Sequence, residues 1–177
     1  SVNYGAYYVR SDYLHIKKLV KLGRMILPWR IYVYEKNEPH TILEKKFIFH
    51  PIQIIRLVTL LIKFKDNYHK FQRKSEKISS EKALREDNFL LELYQQKASD
   101  FVKNNGLEEI SKNYLNAVSW ATAFSSLDDI NAFTFLETAL PLIIPSYEFQ
   151  FLKKDVIKEF KSNIIFDSVS KISKNKK

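Results

Sequence analysis

Apolar residues are densest between Phe47 and Phe64, where His50, Pro51, Gln53, Arg56 and Lys63 interrupt the run. Pro51 suits the first position of a helix, because its missing N–H would have no intrahelical partner there. The pattern predicts a helix from Pro51 to about Lys65. Ile55, Val58 and Ile62 recur at i, i+3 and i+7, one side of such a helix, and are expected to face a core. Gln53, Arg56 and Lys63 form its narrow wet edge. A helix apolar over most of its circumference is either enclosed by the protein or laid on a membrane, and enclosure is the expectation.

Elsewhere the pattern is more broken. Val2 to Val9 is rich in Tyr and Val and reads as extended. Ser11 caps a predicted helix over about Asp12–Leu22, with Tyr13, Ile16, Leu19 and Val20 on one face and Gly23 as its stop. Pro28-Trp29 is a bend. Ile31–Glu35 and Thr41–Leu43 are predicted strands of a hairpin turning at Asn37-Glu38-Pro39. Asp66 to Arg85 is dense in Lys and Arg and is expected to be an exposed, mobile connector. Helical periodicity resumes at Phe89, Leu90, Leu93 and Tyr94. Ser99 caps a short predicted helix closed by Gly106. A longer helix follows from Leu107 to about Phe124, with Ile110, Tyr114, Ala117, Val118 and Ala121 on one side and Trp120 buried among them. Ser126 and Asp129 open a last helix that ends at Pro141. Asn163 to Ile172 is β-branched and strand-like. The fold class expected is α+β, mainly helical, with one short hairpin and strands at the two ends.

Composition narrows the function classes. The chain has 177 residues, 45% of them hydrophobic, with 13 Phe and 10 Tyr, enough for a packed core. It has no cysteine, which excludes a disulfide scaffold and a cysteine zinc site. Three glycines are too few for the phosphate turn of a doubly wound nucleotide-binding domain. The opening SVNYGAYYVR lacks the basic start and apolar stretch of a secretory signal. No window reaches about 18 uninterrupted apolar residues, so no spanning helix is indicated. The expected location is cytoplasmic, with association to a membrane surface as the variant.

The net charge of +9 comes from 29 Lys and Arg against 20 Asp and Glu. These charges are dispersed rather than gathered on one helix face with interleaved aromatics, so nucleic acid is not an expected partner. No G-x-G-x-x-G, Walker loop or H-E-x-x-H occurs. His15, His40, His50 and His69 have irregular spacing and no metal site is expected from them. Asp128-Asp129 reads as an ordinary acidic first turn of a helix. No catalytic residue is assigned.

Taken in order, four segments resemble the flavin-dependent amine oxidase and phytoene desaturase-like oxidoreductases. Val2-Asn3-Tyr4-Gly5-Ala6-Tyr7-Tyr8, followed by Lys18-Leu19-Val20-Lys21-Leu22-Gly23, resembles that family's strand and following helix, with Asn3 where the family usually carries an acid. Ile31–Leu43 and the apolar helix after it resemble the small hairpin over the substrate cavity. Phe101-Val102-Lys103 through Ala132-Phe133-Thr134-Phe135-Leu136 resembles the helical substrate domain. Ile164-Ile165-Phe166-Asp167-Ser168-Val169-Ser170-Lys171-Ile172 resembles the strand under the flavin's adenosine. The family's N-terminal glycine turn and its C-terminal glycine-rich segment have no counterpart here.

The resemblance implies an internal portion of an FAD-dependent oxidoreductase. Residues 1–10 would be an edge strand of the flavin-binding domain, 11–160 a helical substrate-binding domain, and 161–177 a strand returning to the flavin-binding domain. Gly5, Ala6 and Val169 would lie against the cofactor FAD; Tyr7, Phe133 and Phe135 would line a pocket for an apolar or amine small-molecule substrate. Without the missing segments the chain alone is expected to be inactive and to bind no flavin tightly. The alternative is a non-enzymatic basic helical module that docks on a membrane surface or a protein partner through the apolar helix and the basic stretch after it. The first predicts that residues 1–9 and 163–172 pair as sheet edges, with both chain ends at one site; the second predicts an amphipathic helix with its apolar face exposed.

Overall fold

In a computed structural model, residues 8–13, 15–16, 19–35, 37–43, 45–152, 154 and 157–158 are described. They are mainly helical with a small antiparallel sheet, an α+β arrangement. The chain divides into two compact units, residues 1–24 with 147–177, and residues 25–146.

The first unit is built on strands β1 (Val9–Arg10), β2 (Val20–Ile26) and β5 (Ser146–Phe151), in the order β1-β5-β2. The helix predicted over Asp12–Leu22 is therefore replaced by a turn and a strand. Tyr13, Ile16 and Val20 do share a core, with Val9 and Phe149, but they reach it from a turn and a strand end. Gly23 ends no helix. It sits mid-strand, where a Cβ would stand 3.1 Å from the Glu148 Cβ, so its bare backbone lets β5 approach closely. Beside the sheet, Arg10 is buried with its Nε 3.0 Å from Asp12 Oδ1 and its guanidinium 4.6 Å from the Tyr13 ring centre. The predicted strands over Val2–Val9, below Tyr8, and over Asn163–Ile172 lie outside the described residues.

The second unit begins with a 3₁₀ turn at Pro28–Arg30 and a hairpin, β3 (Val33–Glu35) and β4 (Glu38–His40). The hairpin is as expected, but its second strand lies three residues earlier than predicted. Asn37 takes the left-handed conformation (φ 67°) that asparagine tolerates, which tightens the turn and draws Pro39 into the strand opposite Tyr34.

Eight α-helices follow among the described residues. They are α1 (Lys45–Ile48), α2 (Pro51–Ser75), α3 (Ser80–Arg85), α4 (Asn88–Gln95), α5 (Ala98–Asn104), α6 (Glu108–Ile110), α7 (Asn116–Ala123) and α8 (Ala132–Ala139). α8 lies against α2, α4, α5 and α7. Its N-cap, Asn131, accepts from the Thr134 N–H at 2.9 Å. Backbone bonds from Ala98 N to Ile130 O and from Ala132 N to Gln96 O stitch the start of α8 to the start of α5. The last helix thus begins later than Ser126, whose hydroxyl instead donates to Asp129 Oδ2 at 2.6 Å within the preceding turn. Replacing Asn131 by alanine orphans the Thr134 amide and is expected to cost about 1 kcal/mol, read as a small drop in a thermal melt.

Two further departures follow from helix phase. α2 extends through Ser75, so the first half of the basic connector is helical. Leu57, Leu61, Phe64 and Tyr68 are buried and Phe71 packs against them, one stripe at i, i+4, i+7, i+11 and i+14 that carries the helix through the charged residues. Lys74 near its end pairs with Glu86 at the close of α3, and this hydrogen bond and charge hold the Glu86 carboxyl below its usual range. The contact is accordingly kept at neutral pH and lost on acidification through that lowered value.

The predicted Leu107–Phe124 helix is interrupted by a π turn at Ser111–Leu115. Each π turn adds a residue to the circuit and rotates everything after it. Tyr114, Leu115, Ala117 and Ser119 are buried, while Ala121 and Trp120 face out, Trp120 with 48% exposure. The expected burial of Trp120 is corrected on this ground. α7 closes on Phe124 in the left-handed conformation (φ 56°).

Candidate docking surface

α2 presents two unlike faces. The inner face is fixed by its core stripe and by Gln53, whose Oε1 accepts from the Ile110 N–H at 3.3 Å. The Arg56 guanidinium lies across Gly106, where a Cβ would come within 2.7 Å of its Nη1; Gly106 also needs its positive φ of 58° to close α5. With the helix locked in this rotation, Ile52, Ile55, Val58 and Ile62 point outward, Ile55 with 67% exposure. The expectation that Ile55, Val58 and Ile62 face the core is thereby reversed. Both stripes have helical spacing, and the longer one, richer in Leu and aromatic rings, wins the interior.

The outward stripe is extended by the joint before it. α1 runs into α2 through Phe49 N bonded to Lys45 O, His50 N to Phe47 O, and Ile54 N to His50 O. This tight joint turns Phe47 inward, edge-on to Tyr114 at 6.1 Å, and leaves Ile48 and Phe49 outside, Phe49 with 73% exposure. Thr59 lies within the stripe, but its hydroxyl donates to Ile55 O at 2.9 Å and is satisfied on the helix itself. Beyond Ile62 the character changes. Residues 63–77 hold six Lys and Arg against two Asp and Glu, a net of +4. Lys63 covers the Phe89 ring at 4.2 Å and Lys65 pairs with Asp66 at 3.6 Å. Lys70, Arg73 and Lys77 are exposed and make no ion pair among the described residues.

The residues assigned to flavin and substrate are placed as follows. Gly5, Ala6, Tyr7 and Val169 lie outside the described residues. Phe133 and Phe135 are on α8 and serve different contacts. The Phe133 ring meets Phe64, Tyr68, Phe71 and Tyr94 at centroid distances of 5.3 to 6.3 Å. Phe135 is buried against Phe101 at 6.2 Å. Both rings are in van der Waals use between helices. No group of three or more His, Asp or Glu suited to a metal occurs among the described residues, and no helix among them is long and apolar enough to cross a membrane.

No family model matches this chain, no curated protein matches it in sequence, and no solved structure matches it in fold. The flavoenzyme resemblance rests on the sequence segments alone.

Proposed function

We propose that this chain is a non-catalytic docking module whose working surface is the outward face of α2. The observation that supports this reading is the exposed stripe Ile52, Ile55, Val58 and Ile62, continued by Ile48 and Phe49, on a helix whose opposite face is the core. Isolated exposed aliphatics are ordinary, but a contiguous row rimmed by charge marks a surface that something covers. Covering it recovers about 25 cal/mol for each Å² removed from water. The flavoenzyme reading needs the same three isoleucine and valine positions turned inward, toward a substrate tunnel.

Ile55→Asp separates the two readings. As a docking surface, the substitution leaves the melting temperature within about 2 °C of the parent, because surface changes cost little. It also shortens retention on a hydrophobic-interaction column. Unfolding of Ile55→Asp would place this face inside and defeat the docking reading. Mixing the chain with FAD does not separate them, because both readings expect this chain alone to form no stoichiometric flavin complex.

A further inference from the structure

We infer that the surface covering the outward face of α2 is an anionic lipid bilayer, with the Phe49–Ile62 half seated among acyl chains and the basic half at the headgroups. This rests on the docking reading above and names its partner. The argument starts from the change of character along one helix. At about 1.5 Å per residue, α2 is roughly 37 Å long, apolar on its outer side for the first half and cationic for the second. An interfacial helix needs both, apolar contact for depth and positive charge for attraction to anionic headgroups.

A second copy of the chain fits this face poorly. Two copies aligned parallel would stack one +4 segment on the other. Two copies aligned antiparallel over the whole helix would lay the isoleucines of one against the lysines of its partner. A fluid anionic surface meets both halves at once. The row is also aliphatic apart from Phe49, and its one hydroxyl, on Thr59, is already bonded to the helix. It therefore offers depth without the fixed hydrogen bonds that a folded protein partner uses for register. Lys70, Arg73 and Lys77, unpaired among the described residues, are free to meet lipid phosphates.

The test uses the full chain and sedimentation with two vesicle preparations, pure phosphatidylcholine and phosphatidylcholine with phosphatidylglycerol. Binding is expected to the anionic vesicles, weakening as salt rises. Each of Lys70→Gln, Arg73→Gln and Lys77→Gln should lower partitioning about fivefold. Ile55→Asp should abolish binding while its melt matches the parent. Because the chain has no cysteine, Ile52→Cys can carry an environment-sensitive dye, which should shift to the blue on anionic vesicles as it enters the acyl region. Equal binding to neutral vesicles, or a dye that stays in water, overturns the proposal. Failure to bind either vesicle, with a folded Ile55→Asp that has lost self-association or retention on the apolar column, overturns the bilayer and leaves the docking reading standing. Failure to bind with an unfolded Ile55→Asp removes both.

Discussion

Truncating Phe64 to alanine is expected to lower the melting temperature by roughly 6–20 °C. The side chain is fully buried at the centre of the α2 stripe. Its ring stacks on Tyr68 at 5.4 Å and stands edge-on to Phe133 at 5.3 Å, so it joins α2 to α8. Removing a buried phenyl group costs about 3–5 kcal/mol, the transfer of the ring plus the cavity it leaves. At about 2–4 °C per kcal/mol for a chain of this size, the shift follows. Trp120→Ala is the control. Trp120 is the larger residue, but it is half exposed beyond the π turn and should cost about 1 kcal/mol or less. If the two variants melted alike, the assignment of α2's inner face would be wrong.

The second large effect is expected at Tyr68. Its hydroxyl donates to Glu137 Oε1 at 2.5 Å, bridging α2 and α8 beside the Phe64, Phe71 and Phe133 rings. Tyr68→Phe keeps the ring and deletes the donor to a half-buried carboxylate. Hydrogen bonds to charged groups contribute about 1.5–3 kcal/mol, and that loss should appear as a lower urea midpoint at unchanged slope. A cycle with Glu137→Ala, which removes the acceptor, tests the pair. The double variant should cost clearly less than the two single costs added, because the residues share one contact. Strict additivity would mean that the hydroxyl contributes nothing through Glu137.

The mainly helical fold class was legible in the chain, and so were particular joints. Pro51 does open α2, the Asn37 turn does make a hairpin, and Leu90 and Leu93 do lie on the buried side of α4. What failed has identifiable causes. Residues 13–20 satisfy a helical period by coincidence of spacing, and pairing with β5 overrode it; β5 itself, with alternating Tyr147, Phe149 and Phe151, carried a strand signal that the helical reading of its neighbours hid. The second half of α2 was hidden by its lysines, although Tyr68 and Phe71 continue the spacing of Leu57, Leu61 and Phe64.

The candidate surface was legible as an apolar helix beside a basic stretch, but not its orientation. Ile55, Val58 and Ile62 and the Leu57 stripe are each a valid helical side. Only partners distant in sequence, such as Phe133 on α8 and Ile110 above Gln53, decide which side is inside.

The π turn at Ser111–Leu115 also sets how much length variation this region tolerates. The turn holds one residue more than an α turn, so deleting one residue there would restore ordinary α geometry and leave α7 on its present face. A second deletion has no slack to absorb it and would rotate α7 by about 100°. Val118 would then move to the place of Ala117, and the Trp120 indole to the slot of Ser119, a fully buried small side chain whose hydroxyl donates to Leu115 O at 3.1 Å. No room for an indole exists where a serine is wholly enclosed against its neighbours. The extra residue is therefore slack in length: it can be lost while alanine and serine stay toward α8 and the indole stays in solvent. Relatives of this chain should have the spacing between Ile110 and Ala117 either as here or one residue shorter, without the π turn.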